Sequence, residues 1–363
     1  MLRGILRILL YPVSLIYGLV IYIRNYLFDN NILSAQEYAV PLICVGNITV
    51  GGTGKTPHVE YIAGLLLKEF KVAVLSRGYK RSKGGFAIVE ENGTPGQFGD
   101  EPLQVKRKLP GIVVAVDGNR RKGIKKILEL YPETDVIIMD DGFQHRWVTP
   151  GLAILLTDFN RLITKDFLLP YGRLREHRFN KRRADIILVT KTPEHVSPIE
   201  RRIIVREMEL NDNQNLYFTS TKYLGLARHD GSSSSLTLAE LNMQGKEILL
   251  LTGIANAEPL YDYIKSINDR VTHLRFSDHH MFSEKDILNI LKLYHSMTEG
   301  NRCFITTEKD YTRLLDKEKL KLIFDDNFYY LPISVIFQND DQEEFDNLIV
   351  KYVRKNKSNR IVS

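Results

Sequence analysis

The stretch VGNITVGGTGKT, residues 45–56, decides the fold of this chain. An apolar segment that begins at Pro41 leads into this glycine-rich turn, and a helix is expected to start at Pro57 directly after it. The succession of strand, glycine-rich turn and helix is that of a P-loop, whose backbone N–H groups surround phosphate oxygens. The sequence therefore predicts a nucleotide-phosphate site with these binding residues: Gly51, Gly52, Thr53, Gly54, Lys55 and Thr56.

Individual positions of this motif have distinct expected roles. Lys55 adds a point positive charge beside the phosphates, and the Thr56 hydroxyl can ligate Mg²⁺. Thr49 stands where the usual pattern has a glycine, so the neighbouring glycines would supply the flexibility instead. The alternative, a plain glycine-rich turn with an exposed lysine, is disfavoured because strand, turn and helix all fall where the motif needs them.

The remaining pattern predicts the fold class. Apolar strands alternate with helices after the P-loop, which is typical of a parallel sheet covered on both faces. We therefore predict an α/β fold with a P-loop NTPase-like, mostly parallel sheet, a second smaller α/β domain and a reaction cleft between them. The predicted divisions are a membrane-associated N-terminal helix over 1–28, a P-loop core over 29–220, a linker over 221–235 and a C-terminal domain over 236–363.

A second phosphate-site element follows the strand that begins at Val136. The strand ends in Asp140 and Asp141, which is the form of a Walker B element. A carboxylate at a strand tip can hold Mg²⁺ directly or through water, opposite the P-loop threonine. Adjacent strand residues point to opposite faces, so one of the two aspartates is expected to face the metal. The alternative is a polar strand end in a turn, since Gly142 follows.

Several polar segments admit more than one interpretation. Asp100 is either the N-cap of the helix that follows or a carboxylate base beside the phosphate site. His145 is a candidate base, phosphate donor or structural residue. The basic run from Arg173 to Arg183 is either a solvated face or a dock for phosphate groups or anionic lipid. The adjacent histidines 279 and 280 indicate metal binding only weakly.

Charge and composition constrain the partners. The 363 residues carry a formal net charge of +6, which favours an acidic partner such as nucleic acid, an anionic membrane or a phosphorylated substrate. No aromatic-basic stacking platform is present in the sequence, so nucleic acid is not expected. Cys44 and Cys303 lack metal or redox spacing and are typical of a cytoplasmic protein. Pro193 stands where a GTPase has its base-reading aspartate, which favours ATP over GTP.

The N-terminal segment from Ile8 to Ile23 is almost wholly apolar, with arginines before and after it. It is shorter than the ~20 residues of a comfortable membrane span, and Pro12 and Gly18 interrupt it. The rings of its tyrosines favour a position at the depth of the lipid headgroups, and the flanking arginines would contact anionic lipid. Monotopic insertion into the membrane is therefore the preferred interpretation. The alternative is a buried first helix.

These motifs resemble those of the tetraacyldisaccharide 4'-kinase family, the lipid A 4'-kinases of Gram-negative bacteria. The family's P-loop looks like residues 45–57, including the threonine at 49. Further matching strings are LSRGY (75–79), GDEP (99–102), DDGFQH (140–145), LRE (174–176), GIAN (253–256), FSDH (276–279) and TEKD (307–310). They follow in order along nearly the whole chain, so the resemblance is global, and DDGFQH is its most specific part.

The resemblance implies a lipid kinase that uses ATP and Mg²⁺. It would transfer the γ-phosphate to the 4'-hydroxyl of tetraacyldisaccharide 1-phosphate at the cytoplasmic face of the inner membrane. By the same resemblance, Asp100 corresponds to the catalytic base, His279 assists it from the second domain, and Lys55 completes the catalytic set. Asp140 and Asp141 correspond to the metal-binding pair, together with Thr56. Other matched positions that line the active site are Ser76, Glu101, Gln144, His145, Arg175 and Glu176.

One position departs from the family pattern: Ser277 replaces the proline that usually precedes the aspartate before His279. The alternative function is a P-loop NTPase of the regulatory or chaperone type, which would hydrolyse nucleotide to switch conformation and would form no phosphorylated lipid.

Overall fold

The computed structural model describes residues 2–228, 236–315 and 327–362. Its strands, in chain order, are β1 (Leu42–Gly46), β2 (Val72–Ser76), β3 (Ala87–Ile88), β4 (Val113–Val116), β5 (Val136–Asp140), β6 (Leu152–Asp158), β7 (Ile186–Thr190), β8 (Asn215–Tyr223), β9 (Ala227–Arg228), β10 (Glu247–Thr252), β11 (Val271–Arg275), β12 (Arg302–Thr307), β13 (Phe328–Leu331) and β14 (Ile333–Phe337). Its helices are α1 (Leu2–Asp29), α2 (Lys55–Leu67), α3 (Pro95–Phe98), α4 (Asp100–Lys108), α5 (Arg120–Leu130), α6 (Pro198–Met208), α7 (Leu238–Met243), α8 (Glu258–Ile267), α9 (Glu284–Ser296), α10 (Glu308–Leu314) and α11 (Gln342–Val362), with 3₁₀ turns at Ile163–Lys165 and Arg178–Arg183.

The first sheet has the order β14-β8-β7-β6-β1-β5-β2-β4-β3. The P-loop strand β1 lies at its centre and pairs in parallel with β5 on one side and β6 on the other. Successive β1 side chains enter opposite cores: Ile43 and Val45 pack into one apolar cluster, and Leu42 and Cys44 into the other. Both faces of the sheet are therefore covered, as the apolar strands predict.

The helix after the P-loop begins earlier than expected. The sequence predicts its start at Pro57, whereas α2 begins at Lys55, directly after Gly54. Gly54 has φ +80°, a left-handed conformation that glycine adopts without steric cost, and it takes the N-cap position. The lysine and threonine of the motif therefore lie on the first turn of the helix, where N–H groups without intrahelical partners point outward.

The second sheet has the order β11-β10-β12-β13-β9 and supports the predicted second α/β domain. The C-terminal boundary of that domain needs correction, however. β14 returns to the first sheet and pairs antiparallel with β8, and Phe345, Ile349 and Val353 of α11 pack into the core against that sheet. The physical reason is that the edge strand β8 needs a partner and that face of the first sheet needs apolar cover.

The predicted linker 221–235 is also only partly a linker. β8 continues through Tyr223, and β9 pairs antiparallel with β13 in the second sheet. Residues 224–226 connect β8 to β9, and residues 229–235, which include Gly231 and the serines after it, lie outside the described residues.

Helix α1 is long, at 28 residues, and packs on the first domain. The Ser14 hydroxyl donates to the Leu168 carbonyl at 2.9 Å, and the Tyr17 hydroxyl donates to the Arg175 carbonyl at 2.8 Å. On its other side, Leu15, Ile16, Leu19 and Val20 are each 58–65% exposed. Among the helices of the described residues, none combines the length and the apolar character that a membrane span requires.

Candidate active site

The P-loop between β1 and α2 is held by its own side chains and by a neighbouring segment. Asn47 Nδ2 donates to Thr53 Oγ1 at 2.7 Å inside the loop. The Thr49 segment forms an extended bridge with Leu174, in which the Val50 N–H donates to the Arg173 carbonyl at 2.8 Å. Residue 49 therefore occupies extended backbone that any residue can adopt, which explains why the motif tolerates a threonine there.

Lys55 lies beside Asp141, which also meets Arg175. Lys55 Nζ is 3.4 Å from Asp141 Oδ1, and Arg175 donates to both carboxylate oxygens at 3.0 and 3.2 Å. Burial opposes ionisation of Asp141, but Lys55 and Arg175 outweigh it and hold the pKa of this carboxyl well below its usual range. Asp141 is therefore an ionised group whose charge is already balanced by two cations.

Asp140, at the end of β5, has a different environment. Its Oδ2 accepts a hydrogen bond from the Ser76 hydroxyl at 3.1 Å, while its Oδ1 is buried and has no partner among the described residues. Burial, followed by the charges of Glu101 and Asp141, raises the pKa of Asp140 to about 6. A buried carboxylate oxygen without a partner is suited to bind a cation.

The described residues contain no group of three or more His, Cys, Asp or Glu side chains that could hold a metal by themselves. In phosphate sites, Mg²⁺ is typically held by one or two carboxylates that are joined by phosphate oxygens and water. The chemistry of Asp140 and its position at the end of the strand beside β1 fit such a shared site.

Asp100 is the first residue of α4, and Gly99 takes the N-cap position instead. The capping interpretation of Asp100 is therefore wrong in its detail, although Oδ1 still accepts the Glu101 N–H at 3.1 Å. His279 Nδ1 lies 3.0 Å from Asp100 Oδ2, so the structure brings together the residues predicted as base and assistant. Burial opposes ionisation of Asp100, but His279, Lys309 and Arg313 hold its pKa well below the usual range.

The second domain supplies two further cations to this cluster, both from α10. Lys309 Nζ is 3.1 Å from Glu101 Oε1 and 3.3 Å from His279 Nε2. Arg313 donates to Asp100 Oδ2 through Nε at 2.9 Å and Nη2 at 2.5 Å. The sequence string TEKD contains Lys309, but no role was predicted for this residue, and Arg313 was not among the candidate site residues. The two residues stand four positions apart, a spacing that places both on one face of α10 and could have indicated that they act together.

The neighbouring His280 has a structural role. Its Nε2 lies 3.0 Å from Asp286 Oδ2, and Asp286 also bonds with Ser283 at the start of α9. The weak metal-binding interpretation of the adjacent histidines therefore finds no support among these contacts, because the two rings face different partners.

The DDGFQH turn packs against both the P-loop and α1. Gln144 Nε2 donates to the Asn47 carbonyl, and the Gln144 carbonyl accepts from Arg24 of α1 at 2.7 Å. Burial, followed by the charges of Arg120 and Arg24, lowers the pKa of His145 to about 4, so this ring is neutral at physiological pH. Its Nε2 is buried and has no partner among the described residues.

The basic run is divided between the surface and the interior: Arg173, Arg178 and Arg182 are exposed, whereas Arg175 and Arg183 are half-buried. Arg175 binds Asp141, and Arg183 donates to Glu176 at 2.6 Å. Glu176 itself is fully buried and accepts from Asn25 of α1 at 3.1 Å. The structure thus places Glu176 under α1, one residue away from the P-loop contacts that Arg175 makes.

The sequence is similar to that of known proteins over nearly its whole length. A family model described as "LpxK: Tetraacyldisaccharide-1-P 4'-kinase" matches residues 6–354. A tetraacyldisaccharide 4'-kinase of Phocaeicola vulgatus is 46% identical over 352 residues, which is 96% of this chain and 96% of the relative. The protein of the same name from Flavobacterium johnsoniae is 42% identical, covering 97% of this chain and 99% of the relative.

A solved structure is similar in fold as well. The crystal structure of the "apo" form of LpxK from Aquifex aeolicus in complex with ATP matches with a TM-score of 0.75 at 30% identity. The match covers 96% of this chain and 99% of that one.

Proposed function

This chain belongs to the tetraacyldisaccharide-1-P 4'-kinase family, and we propose that the cluster described above carries out that family's reaction. The protein is a lipid A 4'-kinase: it transfers the γ-phosphate of ATP to the 4'-hydroxyl of tetraacyldisaccharide 1-phosphate. In this reaction the bond from the γ-phosphorus to the β,γ-bridging oxygen breaks, the bond to the sugar oxygen forms, and the hydroxyl proton is released.

We assign nucleotide binding to the P-loop. Its N–H groups and Lys55 would hold the phosphates, as the strand, turn and helix arrangement supports. Asp141 keeps Lys55 beside the loop through their 3.4 Å contact. Arg175, which joins Asp141 to the Asn47 carbonyl at 3.1 Å, ties this charge cluster to the loop backbone.

We propose Mg²⁺ as the cofactor, with Asp140 rather than Asp141 as the carboxylate that faces it, together with Thr56. Asp140 has an unpartnered buried oxygen, whereas both oxygens of Asp141 are engaged by Arg175. When bound, the ion would neutralise charge that develops on the transferred phosphoryl group.

The observation that carries this proposal is the Asp100–His279 pair. A P-loop switch protein hydrolyses nucleotide with a positioned water and needs no protein base for an alcohol. Here a carboxylate that is held ionised and a histidine from the other domain meet at 3.0 Å, ready to orient a hydroxyl and accept its proton. Because phosphoryl transfer depends mainly on positioning and charge stabilisation, even a weakly basic carboxylate can serve.

We propose peripheral attachment to the cytoplasmic face of the inner membrane through α1. The exposed side chains Leu15, Ile16, Leu19 and Val20 form an apolar surface, and the substrate itself is a membrane lipid. The polar inner side of the same helix contacts Gln144 and Glu176, so the surface proposed to meet lipid adjoins the reaction site.

The direct test is an assay with γ-³²P-labelled ATP and the disaccharide 1-phosphate lipid in detergent micelles, with products separated by thin-layer chromatography. We expect label in the lipid, dependent on Mg²⁺ and lost on chelation with EDTA. ATP hydrolysis without any labelled lipid would favour the alternative, a regulatory or chaperone-type NTPase.

A further inference from the structure

Arg313 connects the two domains from a buried position. Its side chain is 3% exposed, and it lies on α10 of the second domain. Two of its guanidinium nitrogens, Nε and Nη2, donate to Asp100 Oδ2 at 2.9 and 2.5 Å, across the domain boundary to α4. A planar guanidinium that donates through adjacent nitrogens fixes both the place and the orientation of its acceptor.

The third nitrogen of Arg313 faces the other way. Nη1 donates to Asp310 Oδ1 and to the Gly253 carbonyl, each at 2.8 Å, and the Gly253 N–H donates to Asp310 Oδ2 at 2.8 Å. A Cβ placed on Gly253 would lie 2.9 Å from Asp310 Oδ1, so only glycine fits against this pair. Arg313 is therefore fixed to the turn that follows β10.

That turn reaches the P-loop. A Cβ placed on Gly52 would lie 3.8 Å from the Cβ of Ala255, so the second domain comes within about the width of a methyl group of the phosphate loop. The Gly253–Ala255 turn, which lies next to the P-loop, is thus connected through the Asp310–Arg313 ion pair to the carboxylate of Asp100.

We propose that Arg313 is a positioning residue for phosphoryl transfer, which sets the Asp100 carboxylate when the second domain is seated beside the P-loop. This inference rests on the proposed role of Asp100 in the reaction. Buried ion pairs contribute little net stability compared with apolar packing. Stability alone therefore does not explain why Arg313, which already pairs with Asp310, also binds Asp100 of the other domain.

The test compares Arg313→Met and Arg313→Lys with the wild type, in full-length protein and detergent micelles. Arg275→Met is the matched control, because Arg275 pairs with Glu258 at the exposed surface of the same domain. We expect Arg313→Met to lower kcat on the order of 10²-fold, as misplacement of a reacting group does, with little change in KM for ATP. Arg313→Lys should restore part of kcat, since it keeps the charge but not the two-nitrogen geometry.

A double-mutant comparison separates positioning from a merely structural role. If Arg313 acts through Asp100, adding Arg313→Met to Asp100→Asn should cost little further kcat. The proposal would be overturned if Arg313→Met lowered kcat by the same factor in the wild type and in Asp100→Asn. It would also be overturned if both Arg313 variants failed to fold, since that would assign the residue to stability alone. Full activity of Asp100→Asn would instead contradict the proposed function of Asp100, independently of Arg313.

Discussion

Nδ1 of His279 lies 3.0 Å from Oδ2 of Asp100, although 179 residues separate them in the sequence. Asp100 starts a helix of the first domain, and His279 sits in a turn after β11 of the second, with φ +55°. The rings of Tyr79 and His279 pack in a T-shaped arrangement at a centroid distance of 5.6 Å. The pair therefore exists only when the two domains meet, which makes their contact part of the proposed catalytic site.

This pairing predicts non-additive kinetics. Asp100→Ala and His279→Ala should each lower kcat by ~10²–10⁴-fold, the usual contribution of a general base, while binding of ATP survives. The double variant should be little worse than the poorer single variant, because the two residues act as one unit. Lipid-labelling rates and ATP affinity provide the measurement. A lowered melting temperature with unchanged specific activity in Asp100→Ala would assign Asp100 to the helix start alone.

Lys55→Ala should abolish or nearly abolish lipid phosphorylation. The substitution removes the cation nearest the predicted phosphate site and leaves Asp141 with Arg175 as its remaining close partner. The measurement is the γ-³²P assay together with ATP binding by calorimetry. Lys68→Ala serves as the control, because Lys68 stands just past the end of α2, away from the loop. Retained lipid labelling in Lys55→Ala would contradict the P-loop assignment.

Much of this site could be predicted from local sequence, because the P-loop and the strand ending in Asp140 are contiguous motifs. The partners of those residues could not. Arg313 and Asp100 are 213 positions apart, and nothing in the local pattern of α10 says which carboxylate its arginine meets. Only the resemblance to a family, not the spacing of residues, brought His279 to Asp100.

The error at the C-terminal boundary has a similar cause. Phe345, Ile349 and Val353 recur at intervals of four, which predicts an amphipathic helix but not the surface that it covers. Strand β14 is only five residues long, and its pairing with β8 depends on an edge left open by the first domain. Tertiary contacts, rather than sequence order, assign both elements to the first sheet.

Asp140 and Asp141 should affect stability in opposite directions. In the metal-free folded protein the pKa of Asp140 is raised from 3.8 to about 6, so the native state binds more protons than the unfolded state between these values. The free energy of unfolding therefore falls as pH rises through this window. At pH 7.5 in EDTA, Asp140→Asn should remove this penalty, which raises the free energy of unfolding by an amount on the order of 1–3 kcal/mol and raises Tm with it.

The matched variant Asp141→Asn should change Tm in the opposite direction. The pKa of Asp141 is lowered in the folded state, so its ionised form stabilises the protein above its unfolded pKa, and that contribution is lost as pH falls. Asp141→Asn should thus lower Tm at pH 7.5. Thermal melting in EDTA checks both, and kinase assays with Mg²⁺ should show a loss for Asp140→Asn despite its higher Tm. A lower Tm for Asp140→Asn would contradict the raised pKa of Asp140, and undiminished kinase activity of this variant would refute its proposed role at the metal.

Helix α1 offers a test of membrane attachment that leaves the reaction site intact. Deleting residues 1–28 would also remove the contacts of Arg24 and Asn25 with Gln144 and Glu176, so lost activity would have two causes. Replacing only the outward side chains separates them. The quadruple variant changes these exposed residues to serine: Leu15, Ile16, Leu19 and Val20.

Each large apolar side chain contributes roughly 1.5–3 kcal/mol when fully removed from water, so even partial insertion of this surface would hold the protein on a bilayer. We expect the quadruple variant to leave vesicles of anionic phospholipid in a sedimentation assay, while its activity in detergent micelles stays near that of the wild type.

Added salt should weaken binding of the wild type, because the exposed Arg173 and Arg178 add an electrostatic attraction. Tyr17→Phe, which alters only the inner side by removing the hydrogen bond to the Arg175 carbonyl, should remain bound to vesicles. Undiminished vesicle binding by the quadruple variant would show that this surface of α1 is not the membrane contact.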